Sequence, residues 1–307
     1  MRLKKFSGLA RVCVGWLLIN SFLMIGCHVG KTSTTQIISP KILQARTAAP
    51  ADLRSIVNRL ADVVNSLQCT SLVVDVQGGN AETGTIERYR SAPGYLFVGR
   101  PRQIRLKILV PVAKNTLFDM ASDGRIFQIW YPRENKFFAG STDVRRIHYD
   151  GVEKNPLSKF RPQHLIDALL FESLPGDKNF FVYEEMDDQA KYYVIGTVVS
   201  RSDGSLALAR RLWIERSALQ LARQQYYEMD GSVISDMIYS NYVVVAGLSY
   251  PSMVRLERPT DRYSISLRLQ TFKINDPMAA DTFTLTRPAS AEFVEIKSDA
   301  ANEDTAQ

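Results

Sequence analysis

The sequence predicts a mainly β protein: one curved antiparallel sheet of about eleven strands, an unclosed barrel, with an N-terminal helix and a second helix covering its concave face. Three observations predict it. Alternating runs fill the body. In QIRLKILV, Ile104, Leu106, Ile108 and Val110 alternate with Gln103, Arg105 and Lys107, the period of a half-buried strand. Asp-Gly pairs stand between such runs at Asp123-Gly124, Asp203-Gly204 and Asp230-Gly231, and each marks a tight hairpin. Only two segments of the body carry helical spacing. Sequential hairpins then imply an antiparallel meander, and a sheet of that length must curl or close.

The elements follow in chain order. Arg2, Lys4, Lys5 and Arg11 are basic, and no acidic residue precedes Cys27. An apolar stretch runs from Val12 to Gly26, broken at Asn20. Its length is short of the roughly 20 residues a spanning helix needs, so it reads as the core of a secretory signal. The stretch ends in Met24-Ile25-Gly26-Cys27, which resembles a bacterial lipobox. Residues 1–26 are therefore expected to be a lipoprotein signal peptide, with Cys27 as the acylated new N-terminus. Two or more acyl chains on one residue make a stable anchor. Residues 27–49 are polar and aperiodic and read as a flexible tether.

Residues 50–68 place Leu53, Ile56, Val57, Leu60, Val63, Val64 and Leu67 at helical spacing. Pro50 suits the first turn and Asp52 suits its dipole. The second helix begins at Pro162, carries Leu165, Ile166, Leu169 and Leu170, and stops at Pro175-Gly176. Strands and hairpins fill the rest to residue 297, and residues 298–307 read as a frayed tail. Cys69, between the first helix and the first strand, reads as a small buried hydrophobe.

Composition narrows the function. The formal charge of +6 falls to +2 once the four basic residues of the leader are removed, so the body has no charge that calls for nucleic acid. Histidine is confined to His28, His148 and His164. GxSxG, HExxH and CxxC are absent, and the acidic run EEMDD at 184–188 lacks the glycine and spacing of a calcium loop. Neither an enzyme, a cofactor nor a metal site is expected. Two helices hide less area than the concave face of so long a sheet, so the remainder should form an apolar hollow. Leu60, Val64, Leu106, Ile108, Phe127, Ile129 and Trp213 are the candidates to line it.

Four stretches resemble the periplasmic lipoprotein carriers LolA and LolB and the superfamily sharing their fold, over residues 50–297. GTIERYR at 84–90 is similar to a LolA strand ending in an arginine that hydrogen-bonds helix backbone at the lid. Arg90 takes that place, although LolA follows its arginine directly with proline and here Ser91 and Ala92 precede Pro93. SDGRIFQIWYP at 122–132 resembles a LolA hairpin. LVPVAKNTLF at 109–118 resembles the LolB loop that inserts into the membrane, with Val112 at its tip. HLIDALLFESLPGD at 164–177 resembles a LolB helix and its exit.

The resemblance implies a lipid-anchored envelope protein that binds acyl chains of lipoproteins or phospholipids in an apolar cavity, for transport or outer-membrane insertion. It implies partners in the membrane and in another periplasmic carrier, and no nucleic acid. His28, in place of the aspartate that retains enterobacterial lipoproteins in the inner membrane, implies the periplasmic face of the outer membrane. A lipoprotein-sensing or scaffold role without transfer remains the alternative.

Overall fold

A computed structural model describes residues 44–79, 86–143, 160–174, 176, 179–279 and 281–296. Cys27, the signal, most of the tether, His148 and the tail lie outside the described residues. Two helices are described, α1 (Pro50–Val63) and α2 (Pro162–Leu169). The strands are β1 (Ser66–Gly79), β2 (Ile86–Gly99), β3 (Gln103–Leu109), β4 (Thr116–Ser122), β5 (Ile126–Tyr131), β6 (Lys136–Ser141), β7 (Phe180–Met186), β8 (Lys191–Ser200), β9 (Leu206–Glu215), β10 (Gln220–Tyr227), β11 (Val233–Val245), β12 (Leu248–Arg258), β13 (Tyr263–Ile274) and β14 (Glu292–Ile296).

All fourteen strands join one sheet, in the order β14-β6-β5-β4-β3-β2-β1-β13-β12-β11-β10-β9-β8-β7. Two meanders meet at its centre. The first, β1 to β6, walks outward. The second starts at the opposite edge with β7 and walks inward until β13 pairs antiparallel with β1, Leu67 opposite Ile274. Neither edge strand pairs with the other, so the sheet is unclosed, as the sequence predicts. There are fourteen strands rather than about eleven. The difference lies in short strands without a clean period of two. β14, five residues far along the chain, pairs parallel with β6, and nothing local in EFVEI announces that partner.

Both helices end earlier than their apolar spacing suggests. α1 stops at Val63, and Leu67 belongs to β1. The stop is tertiary. The Asn275 side chain, more than 200 residues away, accepts the N–H groups of Asn65 and Ser66 at 2.9 and 3.1 Å and donates to the Val63 carbonyl at 2.7 Å. One amide thus meets the unpaired groups at a helix end and turns the chain into β1. α2 stops at Leu169, and Leu170 to Leu174 run on without regular structure. At its start, Pro50 occupies the first turn of α1 and the Asp52 carboxylate accepts the Ala49 N–H at 3.2 Å.

One apolar cluster binds these parts together. α1 contributes Leu53, Val57, Leu60 and Ala61, α2 contributes Leu165, Ile166, Ala168 and Leu169, and the sheet supplies one face of nearly every strand. Cys69 lies within β1 rather than before it, is fully buried, and burial pushes its thiol up to about 11.

Candidate functional site

The concave face is covered by α1, α2 and the strap Leu170–Leu174 that leaves α2. The strap has no strand partner, yet its backbone is not left unpaired. The Tyr250 hydroxyl on β12 donates to the Leu169 carbonyl at 2.6 Å. Arg100, between β2 and β3, donates to the Phe171 carbonyl at 2.6 Å. Arg210 on β9 donates to the Glu172 carbonyl at 3.1 Å. The Asn58 side chain on α1 accepts the Leu174 N–H at 2.8 Å. Three side chains thus hold the irregular segment, and Tyr250 holds the end of α2 from which it leaves. This satisfies the backbone without making the strap part of the sheet.

Arg100 also donates to the carbonyls of Ala61 at 2.8 Å and Val64 at 3.2 Å. One guanidinium therefore clips the end of α1 to the strap beyond α2. The helix-backbone contact expected of Arg90 belongs to Arg100, and Arg90 is exposed on β2. Register explains the correction. Tyr89 pairs with Val76 toward the far end of β1, whereas Gly99 pairs with Ser66 beside the end of α1. A signal was present in the sequence: Arg100, unlike Arg90, is followed directly by proline, as are Arg161, Arg258 and Arg287.

Six of the seven expected lining residues, Leu60, Val64, Leu106, Ile108, Phe127 and Ile129, are buried in the single core cluster. Trp213 is not among them. It points to the other face of β9 from Leu212 and Ile214, where the guanidinium carbons of Arg211 and Arg223 lie 4.5 and 5.1 Å from its ring centre. Its indole N–H donates to Glu185 at 3.2 Å. A bulky apolar residue in an alternating strand looked inward by type; neighbouring arginines and Glu185 favour it outside. The same contacts account for much of the acidic run, since Glu184 pairs with Arg216 at 2.6 Å and Asp187 caps its own turn through Gln189 and Ala190. Among the described residues, no three His, Cys, Asp or Glu side chains are placed to hold a metal ion.

Under the first meander the face is filled by aromatic rings. Phe118 meets Tyr131 and Phe160 edge-on at 5.3 and 6.1 Å, Tyr131 meets Phe138 at 5.6 Å, and Phe160 tilts against Tyr263 at 4.9 Å. Under the second meander the same face holds polar groups. Arg210 is 5% exposed. Beyond its bond to the strap it donates to Gln224 at 2.6 Å, and its carbon sits 5.4 Å from the Tyr226 ring centre. Its Nε–H is buried and has no acceptor, an omission that costs about 1–3 kcal/mol.

A groove of about 480 Å³ opens at the other end of β10, between α1 and the β10–β12 rim. Ile56, Leu60, Leu219, Leu221, Tyr242 and Leu248 form its apolar part, and Asp52 and Arg59 stand among its polar residues. Its volume is that of a small-ligand pocket. A second cavity, of about 500 Å³, lies at the start of α2 and carries charges of both signs, Arg102 and Arg161 against Asp143 and Glu228, beside Phe127.

Two titratable groups sit on α2. Burial, opposed by a hydrogen bond from Gln163 and helped by the Glu172 charge, pushes the Asp167 carboxyl up to about 6. Burial, together with the charges of Arg258 and Arg161, holds His164 well below the ordinary imidazole range. Its Nδ1 lies 2.5 Å from the Tyr263 hydroxyl. Val112 stands at the tip of the β3–β4 turn, 95% exposed with φ at +69°. The turn is closed beneath it by Lys114 N–H to the Val110 carbonyl at 3.0 Å. A β-branched residue in that backbone region is a true outlier.

No protein-family model matches the sequence, and no curated protein matches it. Three of the solved structures to which the chain is similar illustrate the likeness. A DUF1329 family protein from Desulfovibrio piger matches at 13% identity and TM-score 0.45, over 76% of this chain and 94% of that one. A LolA superfamily protein from Nitrosomonas europaea matches at 11% identity and TM-score 0.44, over 78% and 99%. A domain named for outer membrane lipoprotein sorting, from Vibrio parahaemolyticus, matches at 8% identity and TM-score 0.45, over 76% and 95%. The functional reading below rests on the geometry of the cover and the concave face.

Proposed function

We propose that this chain is a lipid-anchored cell-envelope protein that takes acyl chains of lipoproteins or lipids onto the concave face of its sheet, for transport or outer-membrane insertion. One observation carries this reading: the cover over a large apolar face is fastened by side chains, Arg100 foremost, and not by the sheet's own hydrogen bonds. The cover can leave without a strand pairing being broken. Its departure is resisted by burial. Leu165, Ile166, Leu169, Leu170, Phe171 and Leu174 are all buried, and at about 1.5–3 kcal/mol for each such side chain, lifting them into water costs on the order of 10–20 kcal/mol, an upper bound. An acyl chain that replaces them at about 0.8 kcal/mol per methylene removes most of that cost. Cargo and cover would therefore exchange on one surface.

In this reading Cys27 is acylated and holds the chain to the periplasmic face of the outer membrane, and Val112 touches the bilayer. Leu60, Val64, Leu106, Ile108, Phe127 and Ile129 become ligand wall when the cover moves. No helix among the described residues is long and apolar enough to cross a membrane. The test is organic extraction and native mass spectrometry of the purified chain, with a fluorescent fatty acid as competitor. Stoichiometric acylated peptide or phospholipid, displaced by the probe, is expected. An empty protein that also rejects the probe would sink the proposal. For the anchor, Cys27→Ala should lose both membrane retention and the added acyl mass.

A further inference from the structure

Among the partly exposed arginines of the sheet, Arg105, Arg211, Arg216, Arg223 and Arg258 each hold a carboxylate, on Asp119, Glu185, Glu184, Asp236 and Asp261. Arg210 is 5% exposed and forms no ion pair with a described residue. Its acceptors are a strap carbonyl and the Gln224 side chain, and its Nε–H has none. Glu172, whose carbonyl Arg210 binds, gives its carboxylate to the Tyr226 hydroxyl at 3.3 Å instead. Burying a guanidinium without a counter-charge is unfavourable, and arginine keeps its charge at physiological pH.

Arg210 faces the same side of the sheet as the groove but lies farther along the strands, since Arg210 pairs with Tyr226 whereas Leu221 of the groove pairs with Ile214. A bulge between Leu221 and Arg223 shifts the alternation of β10, so Leu221, which lines the groove, and Gln224, which holds Arg210, are both buried on the concave side. On β11, Tyr242 lines the groove, while Met237 and Tyr239 are buried in the core, and Met237 accepts from Gln224 at 3.4 Å.

We propose that Arg210 receives the anionic head of an amphiphile, a fatty-acid carboxylate or a phospholipid phosphate, whose chain lies along the concave side of β10 and β11 toward the groove. This rests on the carrier reading and narrows its ligand to acyl chains that end in a negative charge. In the closed form the strap carbonyl of Glu172 occupies part of the guanidinium fork. When the strap leaves, Nη1 loses its acceptor, and a carboxylate or phosphate takes the unused Nε–H together with Nη2, which Gln224 yields or shares, supplying the counter-charge through a forked pair of hydrogen bonds.

The experiment uses the full chain in phosphatidylcholine nanodiscs and four photoreactive probes at equal mole fraction: palmitic acid, its methyl ester, phosphatidic acid and diacylglycerol. Peptides from β9 to β11 are scored for label. At least one anionic probe is expected to label them about tenfold or more above its neutral counterpart, and which one does so identifies the head group. Arg210→Gln should abolish that preference while leaving neutral-probe labelling intact. Equal labelling by both members of each pair in the wild-type chain overturns the head-group inference and leaves the carrier reading standing. A preference that survives Arg210→Gln overturns the assignment to Arg210. No labelling of the concave face by any probe overturns both. The wild-type arm needs no variant to fold.

Discussion

The two meanders present their inner faces to the same cover, yet they are built from different chemistry. Beneath β4 to β6 the face is a set of interlocked rings, Phe118, Tyr131 and Phe138, completed by Phe160 and Tyr263 from other parts of the chain. Beneath β9 to β11 it holds Arg210, Gln224, Tyr226 and Tyr239, with an open groove farther along the same strands. Rings that meet edge to face pack closely and are held chiefly by that contact. Buried polar groups need matched partners, and one that lacks a partner has a reason to exchange it. The difference teaches that a single apolar core can serve two purposes. In the proposed reading the first half is the rigid part, and the second half is where its contents change.

The largest expected effect would break the first half. Phe118 is fully buried, and Phe118→Ala should cost about 3–5 kcal/mol of stability through the cavity it leaves. Denaturant unfolding measures it. A loss below about 1 kcal/mol would mean that the ring layer is not the rigid half. Next comes the clip. Arg100→Leu removes three hydrogen bonds from a charged donor to backbone carbonyls, each worth about 1.5–3 kcal/mol before compensation. Amide exchange within 169–174 should accelerate by two or more orders of magnitude, on the order of 3 kcal/mol of local opening, while amides of β4 and β5 keep their protection. Uniform acceleration across the sheet would show that the cover is not a separable part.

The third prediction concerns pH. The raised Asp167 carboxyl means that the folded chain binds this proton more tightly than the unfolded one. Its contribution is fully present below the unfolded value of 3.8 and is lost as pH rises through about 6. At pH 7 the ionised, half-buried group costs on the order of 1–2 kcal/mol after solvent screening. Asp167→Asn should recover that amount at pH 7 and nothing at pH 3.5. His164 works in the opposite sense. Its folded value is depressed, so its contribution is present above the unfolded value of 6.5 and is lost as pH falls below it. The Asp167→Asn chain should therefore show a steeper acid loss between pH 6.5 and 4 than the wild type. An unchanged pH–stability curve would remove α2 as the titrating part of the cover.

The smallest effect separates stability from membrane contact. Val112→Gly relieves the left-handed backbone and should stabilise by up to about 1 kcal/mol, yet weaken binding of the chain to phospholipid vesicles. If vesicle binding is untouched, the turn is only a connection.

Much of this was legible in the chain. The alternation from Ile104 to Ile108, the Asp-Gly hairpins and the apolar stripe Leu53, Val57, Leu60 are local patterns with local causes, and all three stand in the structure, although the alternation breaks at Leu109 and Val110 lies past β3. Other features were visible only in part. Ile104 to Ile108 identified a buried face but not what lay across it. Arg100 carried a signal in the following proline, but only the pairing of Gly99 with Ser66 places it beside the end of α1.

Sequence by itself determined the fold class, the apolar faces and the places where the chain turns, because each depends on residues within a few positions of one another. Tertiary structure decided where α1 and α2 stop, since Asn275, Tyr250 and Arg210 reach those ends from far along the chain. It also decided that Trp213 and Arg210, equally buried, lie on opposite faces of β9, with Arg210 on the concave one. Hydropathy assigns the reverse, for it counts what each side chain costs in isolation. The folded chain instead places Arg211, Arg223 and Glu185 around the indole, and gives the guanidinium of Arg210 a carbonyl, an amide and an aromatic ring.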